Sequence, residues 1–371
     1  MKVSSHSLIE RLFLQNRKEV VAKVQAVRGL VDTRDLGVTL VHEHICFDFL
    51  GKLQTGTPFI EKTFAFNLDL LKKARDVGIQ TIVELTPWPN VEKILALNEK
   101  VPELSIILST GSYLQSCGHP VTGMGETELY DHMVADITRG YAGFETDGVK
   151  AGIIKVAADT SRLTDWEKRT FRIAARVQKE CRVPVATHAC AGAREQMEVL
   201  KAAGANIAAT FYSHVEAEFG WDGRSLQEEA EYLADVARAG GYLHFNNFDF
   251  EFDTPFPDLM YLINHLENSG FGDKVFYSID TNITVDADGK IWMEAEREHP
   301  ETGRRTYAYA ITDATPRLMA AGVSLQRITR YLIDNPRRYF EAATPGGIQA
   351  ATPGGIQAAA TPGGIQAATE G

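Results

Sequence analysis

Eight short apolar, β-branched runs recur along the chain, separated by segments with helical spacing. The first half carries VTLVHEHI from Val38, QTIVELTP from Gln80, SIILSTGSY from Ser105 and GIIKVAAD from Gly152. The second carries PVATHAC from Pro184, ATFYSHV from Ala209, YLHFNNF from Tyr242 and KVFYSID from Lys274. Near-continuous hydrophobic strands alternating with helices are what a parallel sheet covered on its outer face requires. Between them, DWEKRTFRIAARVQKEC, AREQMEVLKAA and SLQEEAEYLADVARAGG place apolar residues three and four apart, then stop at glycine or at Cys181-Arg182. The pattern predicts an α/β fold, a (β/α)8 TIM barrel. A doubly wound open sheet fits less well, because no G-x-G-x-x-G follows the first strand and polar residues end several different strands.

Three segments stand outside the repeat. Residues 1–28 precede the first unit as an N-terminal extension, and residues 29–340 hold the barrel. The segment from Thr281 to about Tyr307 is too polar for core and is expected to be a long loop over the barrel mouth. Within it, Asp286-Ala-Asp288-Gly289 resembles a calcium loop only superficially, since Ile291 and Arg297 stand where an EF-hand needs Gly and Glu. The helix in SLQRITRYLIDNPRRYF should end near Asn335-Pro336. Residues 341–371 repeat ATPGGIQA, whose Pro-Gly-Gly steps sustain neither helix nor sheet, so a disordered tail is expected.

Composition narrows the partners. With 371 residues, 44% hydrophobic and 23% charged, the chain can bury one large core, and its formal net charge of -11 disfavours nucleic acid and anionic membranes. A neutral small molecule is the expected partner. No apolar run approaches the ~20 residues that span a bilayer, and the N-terminal stretch lacks a signal-peptide core. The four cysteines, Cys46, Cys117, Cys181 and Cys190, are scattered without a C-x-x-C pair, which points to a reducing, cytoplasmic setting. Cys46 and Cys190 flank the residues discussed next and read as small packing residues rather than soft ligands.

His42 and His44 close the first run. Side chains two apart on a strand share a face, so both can aim into a barrel mouth and ligate one ion. His188 ends the fifth run, His214 the sixth and Asp280 the eighth. A single histidine is most simply a core or rim residue, but five ligand-type side chains at the same end of four strands form a set that packing alone explains poorly. Lys155, inside the apolar run Gly152-Ile153-Ile154-Lys155-Val156-Ala157, would carry an ammonium into the barrel interior, where desolvation is costly. Carboxylation by carbon dioxide would turn it into a carbamate able to bridge two cations; the alternative is an ion pair with Asp159 or Glu84. The set describes a two-metal site, with His42, His44 and Asp280 on the more buried ion, His188 and His214 on the outer one and carboxylated Lys155 between.

These motifs resemble the phosphotriesterase family of the amidohydrolase superfamily, which includes phosphotriesterase-like lactonases. The likeness rests on the H-E-H-I run, G-I-I-K-V-A, the T-H of the fifth strand, the S-H of the sixth, the Ile-Asp of the eighth and the closing D-N-P-R-R-Y-F, and covers about Gly29 to Phe340. It implies zinc or a similar divalent metal, since N and O ligands do not choose among zinc, cobalt, manganese and iron. It also implies a homodimer. Two cations ~3.5 to 4 Å apart would sharpen a shared solvent molecule into a hydroxide nucleophile, the outer ion would polarise the substrate oxygen, and Asp280 would accept the proton.

Substrate choice follows from finer resemblances. Thr110-Gly111-Ser112-Tyr113 is similar to the family's Gly-x-Tyr element, in which the tyrosine leans over the metals and is more typical of lactonases, so Tyr113 would orient a lactone carbonyl; packing on the rim is its other reading. Three places depart from the pattern. Phe245-Asn246-Asn247-Phe248 stands where lactonases carry Asp-Arg, Pro87-Trp88-Pro89-Asn90 replaces a Gly-Arg-Asp turn, and Val215-Glu216 replaces Leu-Gly. The missing guanidinium weighs against acyl-homoserine lactones. The leading expectation is metal-dependent hydrolysis of a lactone or related ester with slow phosphotriesterase activity. Its rivals are a dedicated organophosphate triesterase and a non-catalytic metal-containing binding protein.

Overall fold

The computed structural model describes residues 22–45, 57–189, 192–218, 222–248, 254–285, 290–293 and 305–343. Eight parallel strands form one sheet in chain order: β3 (Thr39–Glu43), β4 (Thr81–Glu84), β5 (Ser105–Gly111), β6 (Ile153–Ala158), β7 (Val185–Ala189), β8 (Thr210–Ser213), β9 (Tyr242–Phe245) and β10 (Val275–Tyr277). Each of these strands lies in one of the eight expected runs. The sheet curls until its ends meet just past the strands, where Asp280 N donates to His42 O (3.2 Å) and His44 N to Thr281 O (3.2 Å). The fold is a (β/α)8 barrel.

The helices that the sequence marked form where expected. Asp165–Cys181 is capped by a reciprocal Thr164/Glu167 box, Leu226–Arg238 by a Ser225/Glu228 box, and Arg182 ends the former in a left-handed turn at φ 56°. The C-terminal helix differs from expectation. It does not end at Pro336 but runs on as Asn335–Ala343 after a widened π turn at Arg330–Asp334. The wide turn changes the hydrogen-bond register just before the proline, where a missing N–H would otherwise break the helix. Among the described residues no helix is long and apolar enough to cross a membrane.

Inside the barrel the side chains stack in layers. The lower layer is apolar and takes one residue from each strand: Val41, Val83, Ile107, Ile153, Ala186, Phe211, Tyr242 and Phe276. Tyr339 and Phe340 of the last helix pack against it, as do Val24 and Ala26 of the antiparallel hairpin β1 (Lys23–Ala26) and β2 (Gly29–Asp32). Two residues further along six of these strands, on the same face, stand Ser109, Lys155, His188, Ser213, His244 and, just past β10, Ser278. The core therefore turns polar in one step toward the C-terminal mouth.

The segment after β10 is less of a loop than its polarity suggests. Ile283–Val285 (β11) and Ile291–Met293 (β12) pair as an antiparallel hairpin, and Thr281, Ile283, Met293, Arg305 and Tyr307 are buried. Its described ends belong to the core because Tyr307 Oη donates to His44 O (2.8 Å) and Arg305 reaches two strand-end carbonyls. Asp286, Asp288, Cys46, Cys190 and residues 344–371 lie outside the described residues, while residues 341–343, expected to belong to the disordered tail, continue the last helix.

Gly111 shows how tightly the barrel wall is drawn beside the polar layer. Its φ is +143°, and a Cβ there would sit 1.9 Å from Lys155 O. Gly111→Ala should destabilise the fold by roughly 2–4 kcal/mol in chemical denaturation, since both the backbone conformation and the β5–β6 contact must change.

Candidate metal centre and active site

His42 reaches the interior through a local irregularity. Val41 already faces the lower layer, so strict alternation would turn His42 outward. Between Leu40 and Glu43, however, β3 spends three residues where β4 spends two: Leu40 pairs with Ile82 and Glu43 with Glu84. This bulge lets both His42 and His44 point into the mouth. The outward neighbours Glu43 and Glu84 are fully buried and tie strand ends together: Glu43 accepts from Ile279 N (2.9 Å) and Thr281 N (2.7 Å), Glu84 from Ile45 N (3.2 Å) and Thr86 N (3.3 Å). Burial pushes both carboxyls up to about 8.

His214 and Asp280 stand just past β8 and β10 with φ of 59° and 54°, a left-handed conformation that few non-glycine residues adopt. It swings both side chains over the barrel axis. Asp280 Oδ1 lies 3.2 Å from His44 Nε2 and 3.5 Å from His42 Nε2, while Oδ2 lies 3.6 Å from His214 Nε2. Lys155 Nζ is 3.3 Å from His42 Nε2 and 3.4 Å from Thr187 O. Its charge also couples to Glu84, the partner named by the ion-pair alternative. His188 joins the group edge-to-face with His214, ring centres 4.6 Å apart, and Tyr113 Oη stands 3.3 Å from His188 Nε2. All seven residues singled out in the sequence thus meet at one mouth.

The donor set suits divalent cations. Ligating atoms of His42, His214 and Asp280 lie within 4.8 Å of one another. Among the described residues His214 Nε2 and Asp280 Oδ1 are buried without a hydrogen-bond partner, although each faces other ligand-type groups. Desolvation drives His42, His188 and His214 below the ordinary imidazole range, so they are neutral and can offer lone pairs. Burial works against the Asp280 carboxylate, and whatever positive charge His42, His44 and His214 carry works for it, with the balance well below the usual range.

The imidazoles are aimed by partners that sequence reasoning did not assign. Nδ1 of His214 donates to Asn246 Oδ1 (2.8 Å); Nδ1 of His42 meets Ser213 Oγ (2.9 Å) and Nδ1 of His44 meets Thr86 Oγ1 (2.9 Å). Partners of this kind fix the ring orientation and tautomer of metal-binding histidines. Asn246 and Asn247 are held in turn by Glu216, whose Oε1 accepts both their backbone N–H groups at 2.7 Å. The departures at Val215-Glu216 and Asn246-Asn247 are therefore two halves of one bracket. A guanidinium also arrives from elsewhere, for Arg305 Nη2 donates to Asn246 O and to Ile279 O (3.2 Å). His244 was missed as well: it lies beneath His42, ring centres 5.2 Å apart, and bonds Ser278 Oγ at 2.6 Å. The alternation Tyr242, His244 along YLHF was the signal that could have revealed it.

A parallel barrel with imidazoles, a lysine and a carboxylate converging at the C-terminal ends of its strands defines the metal-hydrolase class of (β/α)8 proteins. The chain belongs to the phosphotriesterase family, whose model matches residues 22–340. It is 29% identical over 348 residues to the phosphotriesterase homology protein of Mycobacterium tuberculosis, covering 88% of this chain and 99% of that one. It is 24% identical over 323 residues to the aryldialkylphosphatase of Saccharolobus solfataricus, covering 84% and 96%. A solved structure, described as the molecular engineering of organophosphate hydrolysis activity from a weak promiscuous lactonase template, superposes with a TM-score of 0.70 at 25% identity, covering 86% and 99%. The family consists of binuclear metal hydrolases acting on small-molecule esters or phosphotriesters.

Asn246→Leu keeps the bulk but removes the acceptor that sets the His214 tautomer. Chelator competition should show metal affinity weakened about 10- to 100-fold, and the thermal midpoint of the metal-free protein should fall as well, because His214 Nδ1 and Asn247 Oδ1 each lose a buried partner.

Proposed function

We propose that this protein hydrolyses lactones or related small-molecule esters with two divalent cations, zinc in the simplest case. One observation carries the reading: the Asp280 carboxylate stands 3.2–3.6 Å from the Nε2 atoms of His42, His44 and His214, with Lys155 Nζ 3.3 Å from His42 Nε2. His42, His44 and Asp280 would hold one cation, His188 and His214 the other, and a carboxylated Lys155 would bridge them. When bound, the pair supplies Lewis acidity, lowering the pKa of water and polarising the substrate oxygen. The chain's own residues do the rest. Asp280, ionised at neutral pH, accepts the proton of the attacking water and returns it to the leaving alcohol. Tyr113 Oη, fixed beside His188, orients the substrate carbonyl by donating a hydrogen bond. Asn246, Ser213 and Thr86 keep the imidazoles aimed while substrate enters.

A dedicated organophosphate triesterase is the second reading, favoured by the similarity to the aryldialkylphosphatase. A tetrahedral phosphotriester and the tetrahedral acyl transition state can share one polarising site, so slow triesterase activity is compatible with the first reading.

Turnover of lactones, simple esters and an activated phosphotriester by the metal-loaded protein separates the two. Lactones or esters should lead; a hundredfold preference for the phosphotriester would reverse the assignment. Lys155→Ala should lose most activity together with at least one equivalent of metal, measured by elemental analysis. Full activity with one metal missing would remove Lys155 from the mechanism, and ligand binding without any hydrolysis at full occupancy would favour a non-catalytic binding protein.

A further inference from the structure

Among the described residues, seven of the eight joints between neighbouring barrel strands are parallel ladders; the eighth, between β10 and β3, is not. That seam carries His42, His44 and Asp280. It is closed by separate contacts: Asp280 N donates to His42 O, His44 N donates to Thr281 O, and Glu43 accepts from Ile279 N and Thr281 N. A further contact comes from a side chain just past β10, where Ser278 Oγ donates to His42 O at 3.1 Å. His42 O thus takes two donors, and the aim of the His42 ring from the bulge depends on where this carbonyl is held.

Ser278 is fixed in turn by His244. The His244 side chain is fully buried, packs beside the rings of His42 and Phe211 with centres 5.2 and 5.9 Å away, and brings Nε2 to 2.6 Å from Ser278 Oγ. The direction of that bond follows from the available protons. Burial keeps the imidazole neutral, so it has one N–H. Ser278 has one hydroxyl proton, and His42 O can only accept. With the imidazole proton on Nε2, every donor in this chain of bonds is paired, and only the Nδ1 lone pair lacks a partner among the described residues. With the proton on Nδ1, a buried N–H would be orphaned, which folded proteins rarely tolerate. His244 Nε2 therefore donates to Ser278, and Ser278 donates to His42 O.

We propose that His244 is a positioning residue for the seam: through Ser278 it sets the His42 carbonyl, and with it the cation position formed by His42, His44 and Asp280. The position at His188 and His214 does not depend on it, because those residues follow strands held by ladders on both sides and His214 is aimed by Asn246, its ring centre standing 6.2 Å from that of His244. The inference rests on the two-cation reading and says which of the two positions the relay serves.

The test uses side-chain amides to separate the two imidazole nitrogens: His244→Gln keeps a donor near the Nε2 position, whereas His244→Asn keeps one only near Nδ1. Chelator competition on the zinc-loaded full chain should find one of the two affinities weakened about tenfold in His244→Asn and in Ser278→Ala, with His244→Gln within about twofold of wild type. In crystals of His244→Asn at limiting zinc, the anomalous peak beside His42, His44 and Asp280 should weaken against the one beside His188 and His214. The double variant His244→Asn/Ser278→Ala should bind no worse than Ser278→Ala alone, because the two residues act in series. Equal loss at both positions, His244→Gln as weak as His244→Asn, or additive single losses overturns the relay. Amide hydrogen exchange at Asp280, whose N–H donates to His42 O, reads the seam in the metal-free protein. It should be faster in His244→Asn and Ser278→Ala and unchanged in His244→Gln. If wild type binds no cation the two-cation reading fails by itself, while faster exchange confined to the seam still supports the relay and exchange unmoved in Ser278→Ala overturns it. Ser278→Ala carries both readouts if His244→Asn does not fold.

Discussion

The structure depends on holding a cluster of largely buried ionisable side chains at the centre of a barrel. Below them lies an apolar layer of Val41, Ile107, Ile153, Phe211 and Phe276, above them the cavity walled by Trp88 and Tyr113. A lysine, a carboxylate and several imidazoles in that position are affordable only if they satisfy one another or share cations. Every unusual feature nearby serves that convergence: the β3 bulge, the left-handed backbone at His214 and Asp280, and the buried Glu43 and Glu84 that knit strand ends together.

Stability and function pull on the same residues. Arg305, from beyond the hairpin, clamps the carbonyls of Asn246 and Ile279, the first orienting His214 and the second preceding Asp280. Glu216 does the same for the Asn246-Asn247 backbone. Truncating either would leave buried polar groups unpaired at ~1–3 kcal/mol each, and would also loosen the ligands they support.

Much of this was legible in the sequence because strand alternation and ligand chemistry are both local. The eight runs, the outer helices with their stops, and the six ligand-type residues were legible from periodicity and residue type, whereas Tyr113 entered through the family resemblance. What was hidden required long-range geometry. Nothing in VTLVHEHI announces a bulge, so the inward aim of His42 followed from an expectation that two-residue periodicity alone does not secure. Glu216 and Asn246 looked like departures because their contact spans about thirty residues of chain. Pro336 looked like a helix end because the π turn preceding it is set by packing rather than by a motif. The polar segment after β10 reads as a loop in the sequence, because the burial of Arg305 and Tyr307 depends on carbonyls at the ends of distant strands.

The central claim is that these side chains grip a pair of cations. Anomalous diffraction from crystals of the metal-loaded protein tests it most directly. The account predicts two peaks per chain, one in contact with His42, His44 and Asp280 and the other with His188 and His214, with extra density extending Lys155 Nζ between them. A single peak, peaks away from these residues, or a bare Lys155 turned from the site would contradict it.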